Sequence, residues 1–100
     1  PLEAAEANLE RMIGLARARG IRVLLVGMEI PPNYGPEYTG QFRGMYRTLA
    51  ERHQLPLLPF LLEPIAADRN HFLDDNLHPT AAVQPQLRDH VAAALRPLLE

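Results

Sequence analysis

The sequence predicts an α/β fold in which this chain forms half of a doubly wound domain with a parallel sheet. Helix-like and strand-like apolar patterns follow one another in the order helix, strand, helix, strand, loop, helix. Residues 21–26 are apolar on both faces apart from Arg22, which is typical of a strand buried inside a parallel sheet. Two parallel strands joined by a helix form a βαβ unit. Because a two-stranded sheet is a poor independent structure, we expect further strands outside this chain.

The first element is an amphipathic helix. Its apolar positions recur at helical spacing, and charged residues fall between them. We expect the helix to end at Gly20, because glycine is favoured just past a helix end. The apolar positions are Leu2, Ala5, Leu9, Met12, Ile13 and Ala16.

A long loop, a second helix and a second strand follow the first strand. Residues 27–40 are rich in proline and glycine, which predicts a loop long enough to be functional. An amphipathic helix overlaps the end of this loop and ends near His53. Residues 55–62 predict the second strand. Pro56 and Pro59 place that strand at a sheet edge, because proline cannot donate to a ladder.

The C-terminal third predicts a loop and a last helix. Residues 63–79 are predicted to form mostly loop, with a short helical turn around Ile65. Apolar residues at helical spacing then mark a helix whose regular part begins at about Gln84, because Pro85 is tolerated only in a first turn.

Composition excludes several classes of function. A net charge of −2 gives no attraction to nucleic acid or to anionic membranes. No apolar run approaches the roughly 20 residues of a membrane span. The chain has no cysteine, which excludes disulfides and thiolate metal sites, and it also has no serine.

An Asp–His pair near the C-terminus is the strongest chemical signal. Asp75 precedes His78 by three residues, in a loop that follows the last predicted strand. Active sites of open α/β sheets lie beyond the carboxyl ends of strands. A carboxylate that orients a histidine is two-thirds of the machinery that activates a hydroxyl nucleophile. Because serine and cysteine are absent, a catalytic pair here would need a nucleophile from protein outside this chain.

Spacing alone leaves other interpretations open. Asp74 competes with Asp75 for the carboxylate role, or it caps the turn. His71, Asp74, Asp75 and His78 are also a possible ligand set for zinc or another divalent ion. The plainest alternative is a turn carboxylate beside a surface histidine. His53 and His90 lie on helix patterns and are expected to face solvent or to pack.

The chain resembles a known family. The residues Asp75-Asn76-Leu77-His78-Pro79 resemble the last conserved block of the GDSL, or SGNH, hydrolases. Four further segments, in the right order, resemble the bacterial branch called thioesterase, arylesterase or lysophospholipase. They are residues 8–13, 23–28, 32–35 and 55–60, so the resemblance covers essentially the whole chain.

The resemblance implies a three-layer α/β/α, flavodoxin-like domain with a five-stranded parallel sheet, of which residues 1–100 are the C-terminal half. It implies that Asp75 and His78 are catalytic. The family's serine lies in an N-terminal Gly-Asp-Ser block, and two middle blocks complete the oxyanion hole. This sequence lacks the Gly-Asp-Ser block and the Gly-x-Asn-Asp block. We therefore expect the N-terminal half of the same hydrolase as a partner, and an inactive chain without it.

The implied substrate is an acyl ester or thioester, hydrolysed through an acyl-enzyme without a metal or organic cofactor. Residues 28–36 are expected to line the acyl pocket, with Met28, Ile30 and Tyr34 as contacts. The family resemblance is also the only indication of a periplasmic or secreted location. The alternative is a non-catalytic fragment that pairs with a separate N-terminal half or forms a domain-swapped assembly.

Overall fold

A computed structural model describes residues 1–30 and 34–100. Residues 31–33, in the middle of the predicted pocket loop 28–36, lie outside the described residues. The predicted order of elements is confirmed. The described elements are α1 (Leu2–Ala18), β1 (Leu25–Val26), α2 (Pro36–His53), β2 (Leu57–Leu58) and α3 (Gln84–Leu99), with short 3₁₀ turns at Arg69–His71 and Ala81–Val83.

The two strands form the predicted parallel pair, with α2 as the crossover between them. Leu25 lies opposite Leu57, and Val26 lies opposite Leu58. The Gly27 N–H donates to the Leu58 carbonyl at 2.7 Å, which extends the pairing by one residue.

Both strands are shorter than predicted. The apolar patterns predict strands over residues 21–26 and 55–62, whereas only two residues of each strand pair in the described structure. The N–H of Leu55 donates to the Ala50 carbonyl of α2, and Pro59 has no N–H, so little of the second segment is free to pair. The expectation of burial on both faces is wrong at Ile21, which is exposed because the pairing begins four residues later.

The loop after β1 is also shorter than predicted. Helix α2 begins at Pro36, so Gly40 lies inside the helix and not in the loop. Proline suits a first helical turn because its missing N–H would have no partner there. Gly35 precedes it with a φ of +91°, a conformation that glycine adopts at little cost.

The apolar core is divided into two clusters. The first lies between α1, α2 and the strands, and Leu49 at its centre is fully buried. Its buried members are Ile13, Leu25, Met45, Leu49 and Ala50. The second cluster lies between the turns after β2 and the start of α3. It consists of the buried Ile65, Val83 and Leu87, with Leu62 and Phe72 packed against them.

The chain exposes more surface than a compact domain of its size. Its accessible surface is 7036 Å², whereas a compact monomer of 11.2 kDa exposes about 5,700 Å². Its extents are 41 × 34 × 17 Å, so the body is thin in one direction. In the described part of the chain, no helix combines the length and apolarity that a membrane crossing requires.

Gly27 is the position at which the two strand ends approach most closely. A Cβ at this position would lie 2.3 Å from the Pro59 carbonyl oxygen, a backbone atom that has little freedom to move. We predict that Gly27→Ala destabilises the protein by about 1–3 kcal/mol, because the strand ends must separate. Urea unfolding measures the change.

Gly40→Ala is the matched control for this substitution. Gly40 lies inside α2, and a Cβ there would meet nothing within 4 Å. We expect it to stabilise the protein by up to about 1 kcal/mol, because alanine favours helix. An unfolding midpoint for Gly27→Ala equal to that of the parent would show that the close approach is unimportant.

Candidate active site

Residues 71–80 form a closed loop, called here the Asp–His loop, that carries both predicted catalytic residues. The N–H of Thr80 donates to the His71 carbonyl at 2.8 Å, and the N–H of Leu73 donates to the His78 carbonyl at 2.8 Å. Phe72 and Pro79 form an antiparallel bridge between these two bonds. The base of the loop is half-buried, and its tip is exposed.

The side chain of Asp75 fixes the turn at the tip. Its Oδ1 accepts hydrogen bonds from the backbone N–H of Leu77 at 2.9 Å and of His78 at 3.0 Å. Asn76 adopts a φ of +61°, in the left-handed region that asparagine tolerates better than most residues. The turn therefore follows from an aspartate that accepts two backbone bonds and an asparagine next to it.

The other oxygen of Asp75 holds the imidazole of His78. The distance between Asp75 Oδ2 and His78 Nδ1 is 2.5 Å. A carboxylate only accepts hydrogen bonds, so Nδ1 carries the proton and Nε2 keeps a lone pair. The imidazole is thus in the tautomer that a general base requires, with its basic nitrogen directed away from Asp75.

These bonds keep the carboxyl group of Asp75 ionised. The backbone N–H of His78 contributes most, followed by the His78 ring and the N–H of Leu77, and together they hold the pKa of Asp75 well below its usual value. The group is exposed, so the bonds to the ionised form cause the shift, and burial does not.

The geometry separates the alternatives that the spacing left open. Asp75 is the carboxylate that contacts His78, and no hydrogen bond joins Asp74 to that ring in the described structure. His71 contacts the Ile65 carbonyl and Asp68. Across residues 1–30 and 34–100, no three histidine, aspartate or glutamate side chains are grouped closely enough to hold a metal ion.

The two other histidines bind partners away from the Asp–His loop. Nε2 of His53 lies 3.0 Å from Glu10 Oε2, a contact that joins α2 to α1. Arg52 contacts the same oxygen, and these bonds lower the pKa of Glu10, with His53 the larger cause. Nε2 of His90 lies 3.0 Å from the Phe60 carbonyl and connects α3 to the segment after β2. Both side chains are half-buried, in keeping with their predicted positions on helices.

An apolar hollow lies between the loop after β1 and the Asp–His loop. Its volume is about 370 Å³. Met28 and Ile30 line one side, and Asn76 and Leu77 line the other. The remaining lining residues are Glu29, Phe60, Leu62, Ala66 and Phe72. The structure therefore brings two of the three predicted pocket residues next to the turn that carries His78.

Tyr34, the third predicted pocket residue, lies in a different place. It lines a shallow hollow at the start of α2 together with Tyr38. The centroids of the two rings are 6.2 Å apart. Among the residues that the structure describes, none lines both this hollow and the one beside the Asp–His loop.

Known proteins are similar to this chain over nearly its whole length. The model of the GDSL-like Lipase/Acylhydrolase family matches residues 1–84. The esterase TesA of Pseudomonas aeruginosa is 40% identical over 94 residues, which are 94% of this chain and 47% of that protein. Thioesterase 1/protease 1/lysophospholipase L1 of Escherichia coli K12 is 32% identical over 97 residues, which are 97% of this chain and 47% of that protein.

Solved structures give the same result. A crystal structure of TesA superposes with a TM-score of 0.91 at 38% identity, and the match covers 98% of this chain and 54% of that one. The psychrotrophic esterase EstA of Pseudoalteromonas sp. superposes with a TM-score of 0.91 at 28% identity, covering 99% of this chain and 54% of that one.

The chain therefore spans about half the length of the curated relatives it matches. The predicted resemblance and the α/β fold are both confirmed. With its family model matched over residues 1–84, this chain belongs to the GDSL-like lipase/acylhydrolase family.

Proposed function

We propose that this chain supplies the acid–base pair of a serine hydrolase that cleaves acyl esters or thioesters. The observation that carries the proposal is the 2.5 Å contact between Asp75 Oδ2 and His78 Nδ1, which leaves Nε2 with a lone pair. Relatives named as esterase, arylesterase and thioesterase support the same reaction class.

The proposed chemistry assigns one role to each of the two residues. His78 Nε2 takes the proton of a serine hydroxyl as its oxygen attacks the acyl carbonyl carbon, and it returns that proton to the departing alcohol or thiol. Water then attacks the acyl-enzyme with the same assistance. Asp75 stays ionised throughout, holds the Nδ1–H bond and stabilises the imidazolium.

The nucleophile in this proposal comes from a segment outside residues 1–100. The chain has no serine and no cysteine, and its threonines are Thr39, Thr48 and Thr80. Thr39 and Thr48 lie on α2, and Thr39 donates its hydroxyl proton to the Pro36 carbonyl. We propose that an N-terminal half of the same domain supplies the serine and the rest of the oxyanion hole.

The surface along β1 supports the presence of such a half. Successive residues of a strand direct their backbone N–H and C=O groups to opposite sides of the strand. Because the N–H groups of Leu25 and Gly27 donate toward β2, the backbone groups of Leu24 and Val26 are directed toward the opposite edge of β1. An open apolar groove of about 270 Å³ lies beside that edge. It is lined by Leu9, Met12, Ile13, Ala16, Val23, Leu24 and Leu25. A further strand, with the chain that follows it, would pair with this edge and cover the groove.

The hollow beside the Asp–His loop suits the acyl part of a substrate. Met28, Ile30 and Leu77 line it with apolar side chains, and Leu77 directly precedes His78 in the chain. We propose that Met28 and Ile30 contact the acyl chain. The role of Tyr34 stays a prediction, because the described structure places its ring in a separate hollow.

Substitution of the pair tests the assignment in the full-length hydrolase, meaning this chain joined to its N-terminal half. We expect His78→Ala and Asp75→Ala to lower kcat by about 10³-fold or more, as in other triads. Asp74→Ala is the matched control, because it removes a neighbouring carboxylate that does not contact His78. Hydrolysis of a short aryl ester is the assay. Equal losses for Asp74→Ala and Asp75→Ala would contradict the choice of carboxylate.

The pH dependence of kcat/KM gives a second test. The pKa of Asp75 is lowered, so its carboxyl group remains ionised as the pH falls through the range in which carboxylates ordinarily protonate. We therefore expect kcat/KM to show no step from protonation of Asp75 as the pH falls through that range, so any loss of activity there has the slope of at most one proton. A slope of two protons in that range would show that the carboxyl group of Asp75 titrates there, and it would contradict the prediction.

The isolated chain tests the need for a second half. We expect purified residues 1–100 to hydrolyse no ester and to associate in solution, because the β1 edge and the groove are open. Adding the N-terminal half should restore turnover and give a one-to-one complex in size-exclusion chromatography with light scattering. Restored turnover should be absent with His78→Ala. Homo-oligomers that do not dissociate to form this complex when the N-terminal half is added would favour the domain-swapped alternative.

A further inference from the structure

We propose that His71 is a positioning residue for the Asp–His loop. The inference rests on the proposed hydrolase function, because it concerns the placement of His78 in that reaction. His71 touches neither Asp75 nor His78, so it would act on the reaction through the loop that carries them.

The ring of His71 connects the base of the loop to the second apolar cluster. Its Nδ1 lies 3.0 Å from the carbonyl oxygen of Ile65. Ile65 is 1% exposed and packs in the cluster with Val83 and Leu87. A carbonyl only accepts, so Nδ1 carries the proton, and Nε2 faces Asp68 Oδ2 at 3.7 Å.

The backbone of the same residue closes the loop. The His71 N–H donates to the Asp68 carbonyl at 3.1 Å, and the His71 carbonyl accepts from the N–H of Thr80 at 2.8 Å. Both arms of the loop therefore meet at one residue. Its ring contacts the buried turn at Ile65, and its carbonyl accepts from Thr80, at the end of the segment that follows His78.

The catalytic pair needs such an anchor because burial does not hold it. The side chain of His78 is 73% exposed and that of Asp75 is 43% exposed, whereas the His71 side chain is 29% exposed. The Asp75 bonds fix the two residues relative to each other. They do not fix the pair relative to the sheet, where a serine from the N-terminal half must approach Nε2.

Other contacts at the base are weaker or less directional. Arg69 Nη1 lies 3.4 Å from the Phe72 carbonyl, and Gln84 Nε2 lies 3.4 Å from the Thr80 carbonyl. These distances are near the limit of a hydrogen bond. Phe72 packs against the cluster, but apolar packing is non-directional and tolerates small shifts. Within residues 1–30 and 34–100, His71 therefore supplies the shortest side-chain bond between the loop and the rest of the chain.

The test uses the full-length hydrolase and compares two substitutions of His71 with His53→Ala and His78→Ala. His71→Ala removes the ring, and His71→Asn restores an N–H donor at the same distance from the backbone as Nδ1. We expect His71→Ala to lower kcat by about 10- to 100-fold with little change in KM, because a misplacement of about 1 Å can cost on the order of 100-fold. We expect His71→Asn to recover most of that loss.

His53→Ala is the matched control. His53 is 24% exposed and makes one 3.0 Å bond, to Glu10, far along the chain from the Asp–His loop. His53→Ala removes a comparable hydrogen bond, so a general loss of stability would lower kcat equally in His53→Ala and His71→Ala. We expect kcat of His53→Ala to stay within about twofold of the parent.

A spectroscopic readout separates placement from activity. The short Nδ1–H bond between His78 and Asp75 should give a downfield imidazole proton in NMR spectra. This resonance should persist in His71→Asn and should broaden or move upfield in His71→Ala. This resonance reports the geometry of the Asp75–His78 contact even in a preparation that binds substrate poorly.

The outcomes distinguish this inference from the proposed function. Turnover that survives His78→Ala would overturn the proposed function. Turnover that needs His78 but is unchanged in His71→Ala would overturn the positioning role alone. An equal loss in His71→Asn and His71→Ala, or an equal loss in His53→Ala, would also overturn it.

Discussion

The site depends on one carboxylate that makes three hydrogen bonds. Asp75 Oδ1 accepts from two backbone N–H groups and shapes the turn, while Oδ2 accepts from His78 Nδ1 and sets its tautomer. The same bonds keep the carboxyl group ionised by lowering its pKa. The turn geometry, the orientation of the proposed base and the charge that would stabilise an imidazolium thus have one cause. Removing this carboxylate would change all three together.

The sheet positions the loop after β1 beside the loop that carries Asp75 and His78. Parallel strands direct their carboxyl ends to one edge, and the close approach of Gly27 to Pro59 brings the loop after β1 toward the segment after β2. Met28 and Ile30 consequently line the same hollow as Asn76 and Leu77. The backbone of Leu24 and Val26 is directed toward the opposite edge of β1, where we propose that an N-terminal half pairs. The same short strand pair therefore supports both the proposed acyl pocket and the proposed junction with the nucleophile.

Local chemistry made much of this predictable. Helical spacing and a terminal glycine predicted α1, and Asp75 with His78 could be singled out from their spacing and their family resemblance. The strand lengths could not be predicted, because they depend on which backbone groups Leu55 and Pro59 leave free. The position of Tyr34 in the loop predicts that it contacts the acyl chain, which stays a prediction, and its 6.2 Å approach to Tyr38 depends on where α2 begins, which the sequence does not show. The anchoring bond of His71 to a carbonyl six residues earlier leaves no sequence pattern, so His71 appeared in the sequence only as a possible metal ligand.

The central claim is that residues 1–100 provide the base and that a serine outside them provides the nucleophile. Covalent labelling of the full-length hydrolase with a reactive alkyl phosphonate, followed by peptide mass spectrometry, tests this directly. The account predicts one adduct, on a serine N-terminal to Pro1, and labelling that is lost in His78→Ala. An adduct on a threonine or tyrosine of this chain, or labelling that is unchanged in His78→Ala, would contradict it.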